Sequence, residues 1–177
     1  MELRGKGFIF RKLRKSDAAA LQQQANNTKI AANLYDRFPS PYTLADADFF
    51  IDLKISMDPV TNFVIEVDGA FAGLIGIDFR NDVFSRSPLF GYWLGEVFWG
   101  RGIMTEAVSL FTKYAFDTFD IICLQAGVFS ENTASMRVLE KAGFVKQGIL
   151  KGTLFKQGKI LDEHIYVAYP SGRPMRS

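Results

Sequence analysis

The residues with the clearest chemical reading lie in one stretch, GYWLGEVFWGRGIMTEAV, residues 91–108. A strand ends near Leu94, a bend follows, and Gly100-Arg101-Gly102 opens a helix. Two glycines let the backbone come close to a ligand. The first turn of the helix has amides without intrahelical acceptors, and the helix dipole favours an anion there. Arg101 adds a cation that can lie along a phosphate. The chemistry these residue types would serve is the gripping of a diphosphate. A Gly-x-Gly turn before a helix is also common as plain architecture, so the stretch alone leaves both readings standing. Two other phosphate motifs fail on pattern: there is no G-x-G-x-x-G, and no Gly-Lys-Ser/Thr follows the turn.

The elements that must position this turn follow from periodicity. Residues 7–13 alternate and predict a first strand. Ser16 or Asp17 can cap a helix carrying Ala18, Leu21 and Ala25 on one face. Residues 26–42 read as a loop, with Pro39 and Pro41 blocking regular structure. Thr43 begins T-L-A-D, a capping-box-like start to a helix that places Phe49, Phe50, Leu53 and Met57 on one side and ends by Pro59. Residues 62–67 and 70–79 are strands joined by Asp68-Gly69, a strong hairpin signal. Another strand follows over 89–94. A helix over 104–119 shows Ala107, Leu110, Phe111, Tyr114 and Ala115 on one stripe. A strand over 121–129 and a short helix over 132–142 come next. Gly143 suits the left-handed cap, with Phe144 packing back on Leu139. Two last strands surround a turn at Gln157-Gly158-Lys159. The order is β-α-α-β-β-β-α-β-α-β-β, and residues 171–177 read as a frayed tail.

Composition narrows the function classes. The 177 residues are most simply one domain, expected over 1–170. Hydrophobic residues make up 48 % and charged residues 23 %, which argues for a packed core rather than disorder. Lys+Arg 21 against Asp+Glu 19 gives +2, which speaks against a dedicated nucleic-acid binder. Cys123 is the one cysteine and His164 the one histidine. Together they exclude an internal disulfide, a multi-cysteine zinc site and any metal site needing two imidazoles. No apolar run reaches the ~18 residues of a membrane span, and the N-terminus lacks the apolar stretch of a signal peptide. The expectation is a cytoplasmic, metal-free protein that binds neither nucleic acid nor membrane.

The turn then gains context. Trp99, Gly100, Arg101, Gly102, Ile103 and Met104 resemble motif A of the GNAT superfamily of N-acetyltransferases, Q/R-x-x-G-x-G/A. Trp99 departs from Gln/Arg but is usual in the subgroup of bacterial ribosomal-protein-alanine N-acetyltransferases, where W-G-x-G-x-A-T-E-A is typical. Met104 stands where a small residue is common. Residues 130–144, SENTASMRVLEKAGF, are similar to the same subgroup: Asn132, Ser135, Val138, Leu139, Glu140, Lys141, Gly143 and Phe144 fit N-x-x-S-x-x-V-L-E-K-x-G-F. The resemblance covers roughly residues 7–169.

That resemblance implies an α/β acyl-CoA N-acyltransferase fold, with a mixed, mostly antiparallel sheet of about seven strands flanked by about four helices. It implies acetyl-CoA in a V-shaped gap between two diverging strands, with no metal. Tyr92, Trp93 and Leu94 would offer backbone groups to the pantetheine arm. Trp99, Gly100, Arg101, Gly102, Ile103, Met104 and Thr105 would hold the diphosphate, and Asn132 would contact the arm or the thioester. Ser135, three residues beyond Asn132 on nearly the same helix face, is the candidate proton donor or sulfur holder; capping its own helix is the plainer alternative. A Tyr acid common in the family is absent, because Leu139 occupies its place. So is a Glu that the subgroup can carry 19 residues beyond the serine, where Leu154 stands. Asp78, Glu96, Asp162, Glu163 and His164 are substitute bases without positional support.

Transfer of acetyl to a primary amine in a ternary complex is the expected activity. The acceptor would be a protein N-terminus or a small amine, and a homodimer is compatible. An α-amine with a pKa near 7.8 is about 10–20 % neutral at pH 7, against about 0.04 % for lysine, a difference of ~3.5 kcal/mol. A site without a strong base therefore favours a low-pKa amine. The rival reading is an acyl-CoA-binding or sensing module that has lost catalysis. The acceptor site is expected from residues 33–42, the following helix and the last hairpin.

Overall fold

A computed structural model of the chain describes residues 2–171. The expected tail lies outside the described residues from position 172 onward. Eight strands form one sheet in the order β1-β2-β3-β4-β5-β6-β8-β7, all antiparallel except for the β5–β6 pair. They are β1 (Glu2–Gly5), β2 (Phe8–Arg11), β3 (Asn62–Val67), β4 (Ala70–Asp78), β5 (Leu89–Leu94), β6 (Leu124–Phe129), β7 (Val145–Lys156) and β8 (Lys159–Ala168). The helices are α1 (Ala18–Ala25), α2 (Thr28–Ala31), α3 (Leu44–Lys54), α4 (Ile103–Thr118) and α5 (Thr133–Lys141).

The expected counts of about seven strands and four helices are each short by one. β1 is a four-residue strand with no buried position, visible only through its pairing with β2. α2 is a single turn, capped by the Asn27 side chain accepting from the Lys29 amide, inside the stretch read as loop. Strand alternation sends residues to two cores. Phe63, Ile65 and Val67 of β3 join α4 and α5 on one face of the sheet, while Val64 joins α1 and α3 on the other.

Two local readings need correction. α3 buries Ala47 and Ile51, whereas Phe49, Leu53 and Met57 are exposed, and Met57 lies beyond the helix end. Ala47 and Ile51 instead share the second core with Leu21 of α1 and Leu74 of β4, and Phe50 is partly buried against it. The second correction concerns Asp17. Its side chain does not cap α1; it accepts from both terminal nitrogens of Arg11 at 2.8 Å and from the Arg14 amide. Glu66 takes the Arg11 Nε, so one buried guanidinium ties β2, β3 and the entry to α1 together. The expected Thr43–Asp46 capping box is formed at α3, and Gly143 adopts φ 88 after α5.

The feature that matters for function is a break in the sheet. β5 and β6 run parallel but share one registered pair, Leu89 with Gln125. β6 then pairs with β8 along six positions, from Leu124–Ala168 to Phe129–Glu163. Beyond residue 89 the two strands diverge, and α4 connects the far end of β5 to the start of β6.

Candidate active site

The gap between β5 and β6 opens into a cavity of about 1100 Å³. Ordinary ligand pockets run to about 300–1,000 Å³, so this one has room for a long ligand and a second reactant. Every residue read from the sequence as a site residue lines it: Tyr92, Trp93, Leu94, the run from Trp99 to Thr105, Asn132 and Ser135.

At one end sits the N-terminus of α4. Gly100 and Gly102 have φ 74 and 73, a conformation that suits glycine, and nothing lies within 4 Å of where a Cβ would stand on either. Gly102 is the N-cap and no side chain caps it. The first-turn amides of this 16-residue helix therefore face open space. Among the described residues Arg101 makes only an exposed 3.7 Å ion pair with Asp68 and lies 5.9 Å from the Phe98 ring. Such a pair is weak and easily exchanged for a phosphate. Trp99 donates its indole N–H to the Leu94 carbonyl at 2.7 Å. It locks the bend that aims the turn, which is why tryptophan serves where Gln or Arg is the broader rule. Met104 packs against the core and also lines the cavity. Glu106 faces away from the site and accepts from the Lys6 amide.

Midway along the cavity stands α5. Asn132 Oδ1 caps it by accepting from the Ser135 amide at 3.2 Å. The Ser135 hydroxyl is free of that cap and lies 2.7 Å from the Tyr92 hydroxyl. Tyr92 was read from the sequence only for its backbone. Its phenol is buried, which pushes its pKa well up, and the bond to Ser135 opposes that shift. Nothing local marks this pair, since the partners are 43 positions apart.

The far end is built by α2, α3 and the loop between them. Asp36 turns out of the cavity to bind Lys156 at 2.7 Å. Tyr35 lines it, packs its ring at a tilt against Phe129 and donates to Glu163 Oε1 at 2.8 Å. Burial first, then the bond to Glu163, pushes Tyr35 up to about 12. Gly127 makes room for this pair, because a Cβ there would collide with Glu163 Oε1. Among the other proposed bases, Asp78 is held by Arg37 and Lys54, Glu96 by Lys29 and Asn27, and Asp162 by the Gly152 amide. His164 Nδ1 is buried without a partner among the described residues. Leu154 faces Leu161 in the last hairpin.

Tyr42 is also pushed up to about 12, by burial and then by the Asp46 charge. A tyrosine raised above its unfolded value of about 10 binds its proton more tightly in the folded state. Its contribution is complete below pH 10 and is lost as pH rises through the folded value. With Tyr35, Tyr42 and Tyr92 all raised, the urea midpoint is expected to hold between pH 8 and 9.5 and to fall steadily from about pH 10 to 12.

A sequence profile described as an acetyltransferase (GNAT) domain matches residues 8–145. The chain belongs to the GNAT acetyltransferase family. It is 42 % identical over 83 residues to the probable N-acetyltransferase YjcK of Bacillus subtilis (strain 168), covering 47 % of this chain and 45 % of that protein. With the next two Bacillus N-acetyltransferases the match covers 58 % and 46 % of their length, so the chain spans about half of these relatives. It is 27 % identical over 150 residues to the spermidine N(1)-acetyltransferase of Escherichia coli (strain K12), covering 84 % of this chain and 78 % of that one. The fold matches RimL, a ribosomal-protein alpha-N acetyltransferase solved with coenzyme A. That comparison has a TM-score of 0.84, 19 % identity and coverage of 96 % and 98 %. Family and fold are thus those that the two motifs implied.

Proposed function

We propose that this chain moves acetyl from acetyl-CoA to a primary amine by direct attack within a ternary complex. The observation that carries this is the uncapped α4 N-terminus, with two left-handed glycines, opening into the gap where β5 and β6 part. The amides of Gly100 to Thr105 and the Arg101 guanidinium would hold the diphosphate. The unpaired edge of β5 at Tyr92 and Trp93 would align the arm so that the thioester lies beside Ser135. The thioester supplies an acyl group with a good leaving group.

Ser135 hands a proton to the departing sulfur as the C–S bond breaks, Tyr92 refills it across the 2.7 Å bond, and solvent returns the proton to Tyr92 once the products leave. Glu163, acting through the Tyr35 hydroxyl, takes the proton lost by the acceptor nitrogen as the C–N bond forms. Glu163→Gln bears on that role. An α-amine is already about 10–20 % neutral at pH 7 and a lysine only about 0.04 %, so solvent stands in for the lost base far more readily with the first than with the second. The expected result is a kcat about tenfold lower with a peptide N-terminus and a much larger loss with a lysine side chain. Thiol-release rates on the two acceptors check this.

The test of the proposal itself is calorimetric titration with acetyl-CoA, followed by amine-dependent release of free thiol. The acceptor panel holds peptide N-termini, amino acids and polyamines. Binding with turnover on one acceptor class supports it. Binding without turnover across the panel supports the sensing module instead, and no binding overturns both.

A further inference from the structure

The acceptor end of the cavity has an uneven charge distribution that selects among amines. Asp78, at the end of β4, accepts from Arg37 Nη2 at 2.8 Å and from Lys54 Nζ at 2.7 Å. Two cations therefore meet one carboxylate, and all three line the cavity. The Lys54 side chain is only 11 % exposed, so its charge is not simply dispersed into water. Arg37 spends one N–H on Asp78 and lies 5.7 Å from the Tyr35 ring, leaving donors of its fork to spare. The other carboxylate lining this end, Asp46, is committed to capping α3, where the Thr43 hydroxyl and amide hold it below the usual range. Lys29, also in the lining, is matched by Glu96. Glu163 stands behind Tyr35 rather than in the lining. Phe38, Phe50 and Leu53 add apolar walls, beside the neutral polar side chains of Asn33, Tyr42 and Asn62.

We infer that the acceptor is an amine carrying a carboxylate a few bonds away, with that carboxylate seated at Arg37 and Lys54, and that polyamines are disfavoured. This rests on the transferase reading above. The attacking nitrogen is neutral when it reacts, so the acceptor's only charge in the pocket is the carboxylate, which relieves the excess of the two cations. A polyamine would bring further ammonium groups against Arg37 and Lys54 and find no uncommitted carboxylate to meet them.

The experiment compares kcat/KM, by thiol release, for an amidated tripeptide with glutamate at its second position, the same peptide with glutamine there, free alanine, and spermidine. The glutamate peptide is expected to exceed its glutamine twin about tenfold, the worth of one charge-assisted hydrogen bond. Spermidine should fall below the glutamine peptide. The advantage should shrink as salt is raised. Once the glutamate peptide exceeds its glutamine twin, free alanine turning over faster still would place the preferred carboxylate at the α-carbon, and slower would place it on a peptide side chain; either supports the inference. Arg37→Gln, at a largely exposed side chain, should bring the glutamate-to-glutamine ratio close to one. Acetyl-CoA binding by calorimetry reports whether that variant is folded. Glutamine peptide or spermidine matching the glutamate peptide would overturn this inference and leave the transferase reading standing. No turnover with any acceptor, despite acetyl-CoA binding, would overturn both.

Discussion

Gly102→Ala is expected to weaken acetyl-CoA binding about a hundredfold while the chain still folds. Gly102 caps α4 with φ 73, and no atom lies within 4 Å of its missing Cβ. A methyl group there projects into the space where the diphosphate would meet the helix amides. Losing two charge-assisted hydrogen bonds at about 1.5 kcal/mol each gives ~3 kcal/mol, or two decades in affinity. The left-handed backbone adds its own cost of roughly 1–2 kcal/mol, which in a chain of this size lowers the melting temperature by about 2–8 °C. Gly143→Ala separates the two effects. Gly143 has φ 88 and equally open surroundings, but stands after α5, away from the cavity lining. It should show the same thermal loss with acetyl-CoA affinity intact. Calorimetry and thermal melts on both variants decide the matter; wild-type affinity in Gly102→Ala would remove the anion site from this corner.

Ser135→Ala is expected to lower kcat about a hundredfold with little change in the KM for acetyl-CoA. General acid catalysis contributes about 10²–10⁴, and a hydroxyl that only touches the departing sulfur contributes nothing to holding the distant diphosphate. The fold should tolerate the change, because Asn132 caps α5 through the Ser135 amide, which alanine keeps. Tyr92→Phe should cost about tenfold, since water can refill the serine less well than a fixed phenol. If the two hydroxyls act in series, the double variant should be no slower than Ser135→Ala alone. Burial keeps the Tyr92 phenol protonated far above neutral pH, so wild-type kcat should show no alkaline limb from it below about pH 10. A rise in KM with kcat preserved would make Ser135 a binding residue; full activity would leave it a cap-side serine with no catalytic part.

Some of the fold was legible because it is written locally. The α4 stripe at Ala107, Leu110, Phe111, Tyr114 and Ala115 recurs at helical spacing and is buried as read except at Leu110, which is only partly buried. The Asp68-Gly69 turn joins β3 and β4, with Asp68 at φ 50 and Gly69 at φ 79. α3 was misread on its buried face for a reason the chain does not carry locally. Which stripe turns inward depends on the partners it meets, and Ala47 and Ile51 meet residues of α1 and β4 that lie elsewhere along the chain.

The shape of the turn that opens α4 was legible along the chain. Glycines at 100 and 102, a cation between them and a helix start are neighbours along the chain, so their spacing dictates their geometry. The sequence also set Asn132 and Ser135 on one turn of α5. Which side chains meet across the cavity was decided only by the tertiary structure. Tyr92 reaches Ser135 across 43 positions, Tyr35 reaches Glu163 across 128, and Arg37 and Lys54 converge on Asp78 from a loop and a helix. Such pairs are made by strand register and by the parting of β5 from β6. Register is set by long-range pairing and packing, which no short window of residues contains.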